Sequence, residues 1–320
     1  MEMEISPWPT WIRIYYKEQN NNNKMKWIYQ SLIKIPLMRH FKDLVIRTKN
    51  IENMLQRMVP QPTLMHFDYP LVEHCNLNCK YCNHFSPLAD KKNVDVKIYE
   101  KDIKRMAELF ASQIPHISLV GGEPLLHPEL NDILTITRSY FPTSHIYLIT
   151  NGILLPTKKE DFWSALNKNK ITLEPTKYPL KIDWQEIEKT AAKYTVALKH
   201  QGSINKTEMQ KLPIDTTGLQ NPVKNYYMTC YMPGSCTQLL NGKLYPCAIA
   251  ENIHYFNKRF NQQIPISPHN SIDIYDVQTK EEILQFFTKP IPMCSYCDWE
   301  HFTDNNKWER TNGEDINEWI

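Results

Sequence analysis

A chain of 320 residues, 42% of them apolar, can bury a substantial core and has room for one large domain plus a small one. Its net charge of +2 is too small to argue for a nucleic-acid partner. No apolar run approaches the ~20 residues that a membrane span needs, so no transmembrane segment is expected.

Eight cysteines are present, Cys75, Cys79, Cys82, Cys230, Cys236, Cys247, Cys294 and Cys297, and none precedes Cys75. The start, Met1-Glu2-Met3-Glu4, lacks the basic end and apolar stretch of an export signal. Clustered thiols without such a signal read as metal ligands in a reducing compartment, and the expectation is a cytoplasmic protein.

In chain order, residues 1–64 read as a helical appendage. Asn20 to Asn23 form a polar loop, and Leu37, Phe41, Leu44, Thr48, Ile51, Leu55 and Met58 recur at helical spacing up to Pro60. Residues 1–60 carry ten basic against five acidic side chains, which suits a helix packed on the main domain with a solvated basic face.

From Leu64 the pattern alternates strand and helix. A strand over His66–His74 leads into a cysteine loop, and a helix over Val96–Ser112 offers Ile98, Ile103, Met106 and Phe110 to a core. The strand His116–Val120 ends in Gly121-Gly122-Glu123-Pro124, and the strand His145–Thr150 ends in Asn151-Gly152, with a helix near Pro128–Tyr140 between them. Helices near Lys159–Asn167 and Trp184–Tyr194, with strands near Ile171–Leu173 and Thr195–Leu198, continue the alternation. Repeated strand–helix units argue for an α/β fold with a parallel sheet, open or barrel-like. The three polar motifs follow three successive strands and so converge on one mouth, the edge where α/β barrels build function.

Within that mouth, Cys75, Cys79 and Cys82 stand in a C-x3-C-x2-C spacing. An odd number of thiols on short loops is a poor disulfide framework and suits a metal or an iron–sulfur core. Three ligands, where a closed zinc site wants four, leave one metal position for something else.

Further on, Asn241-Gly242 suits a two-residue type I′ hairpin turn. Counting outward from it opposes Leu240 to Lys243 and then Cys236 to Cys247, with Cβ atoms roughly 5 Å apart. Cys294 and Cys297 add a C-x2-C pair. A structural zinc site would use four of these five thiols, leaving Cys230 or Cys236 spare. The stretch Trp299–Ile320 is polar, acidic and without motifs, and reads as a terminal helix or loose end.

The C-x3-C-x2-C loop with Tyr81 before its last cysteine resembles the cluster loop of the radical S-adenosylmethionine enzymes, and the resemblance covers about residues 65–300. It implies a partial (β/α)6 TIM-like barrel over residues 65–205, and a [4Fe–4S] cluster held by Cys75, Cys79 and Cys82. The amino and carboxylate groups of S-adenosylmethionine would chelate the fourth iron. Gly121, Gly122 and Glu123 resemble the family's segment for the cofactor's amino group, Asn151 its ribose contact, and Tyr81 an aromatic packed on adenine. Residues 206–320, with Gly242-x4-Cys247 and Cys294-x2-Cys297, resemble the auxiliary-cluster extensions called twitch and SPASM, and imply a second [4Fe–4S] cluster.

The implied activity is reductive cleavage of S-adenosylmethionine to a 5′-deoxyadenosyl radical that takes hydrogen from a small, sugar-like substrate, oxidising or epimerising it. The implied partner is an external one-electron donor such as flavodoxin or ferredoxin. Glu174, Lys177 and Lys199, near strand ends, are candidates to face substrate. Two other readings stand beside this one, a maturase of a ribosomally made peptide and a non-catalytic metal-binding scaffold.

Overall fold

The computed structural model describes residue 51 and residues 54–201, 207–302 and 306–320. The Asn20–Asn23 loop and the helix expected from Leu37 lie outside these, apart from the end of that helix. Residues 54–58 are helical, but Ile51, Leu55 and Met58 are exposed instead of packed on the domain. What attaches this end is Arg57, whose Nη1 donates to the carbonyls of Tyr226 (2.7 Å) and Cys230 (2.6 Å).

The core is a seven-stranded, mostly parallel sheet. Strands β1 (His66–Pro70), β2 (His116–Val120), β3 (His145–Thr150) and β4 (Ile171–Pro175) pair in parallel in that order, and a parallel bridge from Leu173 to Leu198 is all that forms of the strand expected over Thr195–Leu198. Helices α1 (Val96–Leu109), α2 (Leu130–Tyr140), α3 (Glu160–Lys168) and α4 (Trp184–Lys193) make the crossovers. α1 starts where Asp95 accepts from the amides of Lys97 and Ile98, a side-chain N-cap. Its buried stripe is Tyr99, Asp102, Ile103 and Met106; Ile98 sits one position off that stripe and is exposed. The architecture is the parallel α/β sheet expected from the strand–helix alternation, and is consistent with the partial TIM-like core that the resemblance implies.

The sheet does not stop at the expected boundary near residue 205. Strand β6 (Gln238–Leu240) joins β1 in parallel through Asp68 and Gln238, with β7 (Lys243–Tyr245) and β8 (Ile272–Asp273) antiparallel beyond it. A two-residue strand β5 (Glu208–Met209) pairs elsewhere, with the last described stretch. Asn241 and Gly242 both have positive φ, as a type I′ turn requires, and the hairpin register runs through Gln238–Tyr245. The turn is fixed from α1: the buried Asp102 carboxylate accepts from the Gly242 amide (2.9 Å), the Tyr69 hydroxyl (2.8 Å) and the Tyr275 hydroxyl (2.6 Å).

The apolar cores divide differently from the chain. Leu239, Leu244, Ile283 and Leu284 pack with the sheet core. Phe85, from the cysteine loop, packs with Ile249, Phe256, Met293 and Trp319 in a second core. Among the described residues, no helix is long and apolar enough to cross a membrane.

Helix α5 (Ala248–Phe260), which lies in that second core, carries a buried acid, Glu251. Its Oε2 accepts from Asn252, while Oε1 has no partner. Burial pushes this carboxyl up to about 8 from 4.5, against the smaller pull of the Asn252 hydrogen bond. A raised acid pKa costs nothing below pH 4.5 and weighs progressively against the fold as pH rises to about 8. Glu251→Gln is therefore expected to raise stability at pH 9 by roughly 2–5 kcal/mol and to leave it little changed at pH 4.5. Denaturant midpoints of both proteins at the two pH values check this; an equal effect at both would show that no buried charge is involved.

Candidate active site

Because β1, β2 and β3 are parallel and in register, their carboxyl ends share one edge, and the three motifs that follow them lock together there. The Gly122 amide donates to Val72 O (2.6 Å) and the Glu123 amide to His74 O (3.1 Å). A Cβ on Gly122 would lie 2.0 Å from the His74 carbonyl oxygen, and one on Gly121 2.4 Å from that of Val72. The glycines are thus required for the β2 loop to pack against the backbone leading to Cys75. Both residues also border the cavity.

Glu123 is fully buried and does not line the cavity. Its Oε1 accepts from the Leu125 amide (3.0 Å) and the Thr150 hydroxyl (2.7 Å), and its Oε2 accepts from the Asn151 amide (2.9 Å). Burial raises this carboxyl, while these donors and Lys158 pull it back. Asn151 in turn donates from Nδ2 to Asn76 Oδ1 (2.7 Å) and to Cys75 Sγ (3.5 Å). Glu123 and Asn151 thus brace the cysteine loop, and Asn151 also borders the cavity.

The loop is wound by left-handed residues at Asn78, Tyr81 and Phe85. Asn accepts that conformation readily, whereas for Tyr81 it costs roughly 1–2 kcal/mol, which the surrounding contacts must outweigh. Tyr81 is half-buried but does not border the cavity. Cys75, Cys79 and Cys82 all line it, a space of about 940 Å³. The Leu77 amide also donates to Cys75 Sγ (3.4 Å), and burial pushes this thiol up to about 12. A metal that takes such thiols as thiolates displaces their protons, so loading gains from higher pH.

The rest of the cavity lining is polar and aromatic. His66 Nε2 lies 3.0 Å from Asp68 and 2.8 Å from Ser118 Oγ, and Glu174 lies 3.9 Å from Lys199. Burial, with His145, His66 and Lys199 nearby, lowers His116 to about 4, so its imidazole is neutral at physiological pH. Tyr147, Tyr178, Trp299 and Phe302 add ring faces. Of the three candidates near strand ends, Glu174 and Lys199 border this space; Lys177 points instead to Glu188 (3.2 Å) and over the Trp184 ring.

The other five cysteines divide four to one. Cys230, Cys247, Cys294 and Cys297 line a second, small apolar pocket with Met232, Ile249 and Met293. At about 20 Å³ it has room for little more than one water, so it is no substrate site. Burial raises the Cys230 and Cys297 thiols well above the ordinary range and Cys294 to about 12, with neighbouring thiols adding to each. Asn225 Nδ2 donates to the Cys294 (2.8 Å) and Cys297 (2.5 Å) carbonyls, and Arg57 holds that of Cys230. Cys236 instead borders the large cavity, near Asp68. The hairpin ladder ends at Gln238–Tyr245, so the register that opposes Cys236 to Cys247 on paper does not bring them to one pocket.

Both thiol groups fit a polynuclear core by their chemistry. Among the described residues, no three His, Cys, Asp or Glu side chains are set to hold a single metal ion. The His74 Nδ1 beside the first trio is buried without a protein partner. Sequence reasoning missed Arg57, Asn225, Tyr178 and Trp308. The first three are single polar or aromatic residues with no pattern around them, and Trp308 lay in a stretch read as a loose end.

Residues 69–174 match the family described as the Radical SAM superfamily. Molybdenum cofactor biosynthesis protein 1 of Bos taurus is 36% identical over 115 residues, 34% of this chain and 18% of that protein. GTP 3′,8-cyclase of Microcystis aeruginosa is 34% identical over 110 residues, 32% of each chain. The chain thus spans well under half the length of these curated relatives. Among solved structures, BtrN in complex with AdoMet and 2-DOIA aligns over 82% of this chain and 99% of that one, at 16% identity and a TM-score of 0.46.

Proposed function

We propose that this chain, a radical SAM protein by its residues 69–174, is an enzyme that acts on a small hydroxylated molecule held in the cavity beside Cys75, Cys79 and Cys82. In this reading the three thiols hold a [4Fe–4S] cluster whose remaining iron takes S-adenosylmethionine. When bound, that pair supplies one-electron cleavage of the cofactor to methionine and a 5′-deoxyadenosyl radical, which takes hydrogen from an unactivated C–H bond.

The chain's own part is to bind, orient and keep water away. The observation that carries the reading is the shared cavity: the three thiols line the same space as Asp68, His66, Ser118, Glu174 and several aromatic rings. Hydroxyl groups suit such a mixture of acceptors and neutral donors, and the rings suit the apolar face of a sugar-like ring. The volume of about 940 Å³ is ample for a cofactor and a small substrate together.

The named activity of the cyclase relatives suggests a nucleotide as a second reading. Against it, the described lining residues include one lysine and no arginine, where a triphosphate wants several fixed cations. A peptide substrate has no specific observation in its favour. We further assign Cys230, Cys247, Cys294 and Cys297 to a second cluster serving electron transfer, with an external one-electron donor as partner and a reducing compartment as setting.

The test is anaerobic reconstitution with reductant and S-adenosylmethionine, followed by a panel of deuterated polyols, amino sugars, nucleoside triphosphates and peptides. Deuterium is expected in 5′-deoxyadenosine with a hydroxylated small molecule. Transfer from the triphosphate or peptide arm alone would overturn the substrate assignment.

A further inference from the structure

The stretch read from sequence as a loose end is built onto the first cysteine loop. The Lys80 amide donates to Glu309 O (3.0 Å) and the Thr311 amide to Asn78 O (2.9 Å), and Cys79 forms an antiparallel bridge with Arg310. Lys80 Nζ sits 3.0 Å from both Glu309 and Glu318, and these two carboxylates hold its ammonium well above the ordinary lysine range. Downstream, Gly313 O accepts from Arg259 Nε (2.6 Å), and Trp319 is fully buried, stacked on Phe85 at 5.4 Å. Residues 306–320, beginning with β9 (Asn306–Lys307), are thus anchored on both sides of the loop.

At the centre of this strap, Trp308 aims its indole N–H at Cys79 Sγ, 3.1 Å away. Tyr178, whose ring packs against Trp308 at 5.6 Å, is a neighbour of the same sulfur. An indole nitrogen can only donate, and a thiol sulfur is a weak acceptor, whereas a thiolate is a strong one. An indole N–H aimed at a buried sulfur therefore suits an anionic, metal-bound Cys79. Hydrogen bonds to ligand sulfur favour the reduced, more negative state of an iron–sulfur centre.

Resting on the cluster reading above, we propose that residues 306–320 are part of the first cluster's housing, with Trp308 a positioning residue that raises the cluster's reduction potential through Cys79. The strap also covers the loop from one side, so loosening it exposes the metal to chelators.

Two variants of the full-length protein test this after anaerobic reconstitution. Trp308→Phe keeps a ring and removes the donor; its first cluster is expected at a more negative midpoint potential in an electron paramagnetic resonance titration without S-adenosylmethionine. The second cluster's potential should not move. Lys80→Ala loosens the strap, and iron is expected to pass to a chelator several-fold faster than from the wild type. An unshifted midpoint in Trp308→Phe with iron retained would overturn the role of Trp308, and unchanged iron release in Lys80→Ala would overturn the strap.

Should wild-type protein hold no cluster at the trio, the parent reading fails, and the contact is then tested on its own in the metal-free chain. There, Trp308→Phe and Lys80→Ala should both speed alkylation of Cys79. Rates equal to wild type would sink the strap independently of any metal.

Discussion

Cys75→Ala is expected to yield a folded protein that forms no 5′-deoxyadenosine above the enzyme-free background and carries about four irons where the wild type carries about eight. In the proposed reading Cys75 is one of three thiols that hold the first cluster, so its loss leaves two, too few to hold a cluster and still present one open corner. The fold should survive. The Asn151 side chain keeps its 2.7 Å bond to Asn76, Glu123 still ties the β2 and β3 loops, and the loop stays pinned by the Lys80–Glu309 and Thr311–Asn78 contacts. Circular dichroism and the thermal midpoint of the metal-free proteins check that part, while iron, sulfide and 5′-deoxyadenosine analyses check the rest. Wild-type rates of 5′-deoxyadenosine formation from Cys75→Ala would remove the first cluster from these residues, and with it the proposed chemistry.

Much of the sheet was readable because its strands are short apolar runs, each closed by a polar motif. His116–Val120 and His145–Thr150 match the observed strands residue for residue, and the Asn241-Gly242 turn carries its own conformational signature. Thr195–Leu198 fared less well: at the sheet edge a single bridge at Leu198 satisfies what the apolar pattern suggested would be a strand. The convergence of three loops followed from parallel topology alone.

What could not be read was the use made of each polar group. Glu123 has the charge to bind an ammonium, but three donors from its own chain claim its oxygens. Gly121 and Gly122 are explained by backbone oxygens of residues some fifty positions earlier, a contact that no local pattern announces. Trp308 and Glu309 meet Cys79 and Lys80 across 229 positions for the same reason. The domain division also blurred. β1 carries β6 on one side and the cysteine loop at its end, so residues from both sequence halves share each core.

The division of the remaining cysteines gives the other large effect. Cys294→Ala is expected to lose about four irons and about four sulfides per chain and to retain the first cluster, whereas Cys236→Ala should keep the full complement. The physical ground is position. Cys294 shares a small apolar pocket with Cys230, Cys247 and Cys297, so its loss leaves three of the four thiols there. Cys236 borders the large cavity instead, beyond the last paired residues of its hairpin. Buried thiols raised to about 12, as Cys294 is, do not ionise unaided at neutral pH, so the pocket favours a metal core that binds thiolates strongly. Metal analysis also separates the two chemistries open to four thiols. A loss of about one zinc, with iron untouched, would make the site structural and leave electron transfer to the first cluster alone. An equal loss of iron from Cys236→Ala and Cys294→Ala would show that the two cavities do not divide the cysteines as their walls suggest.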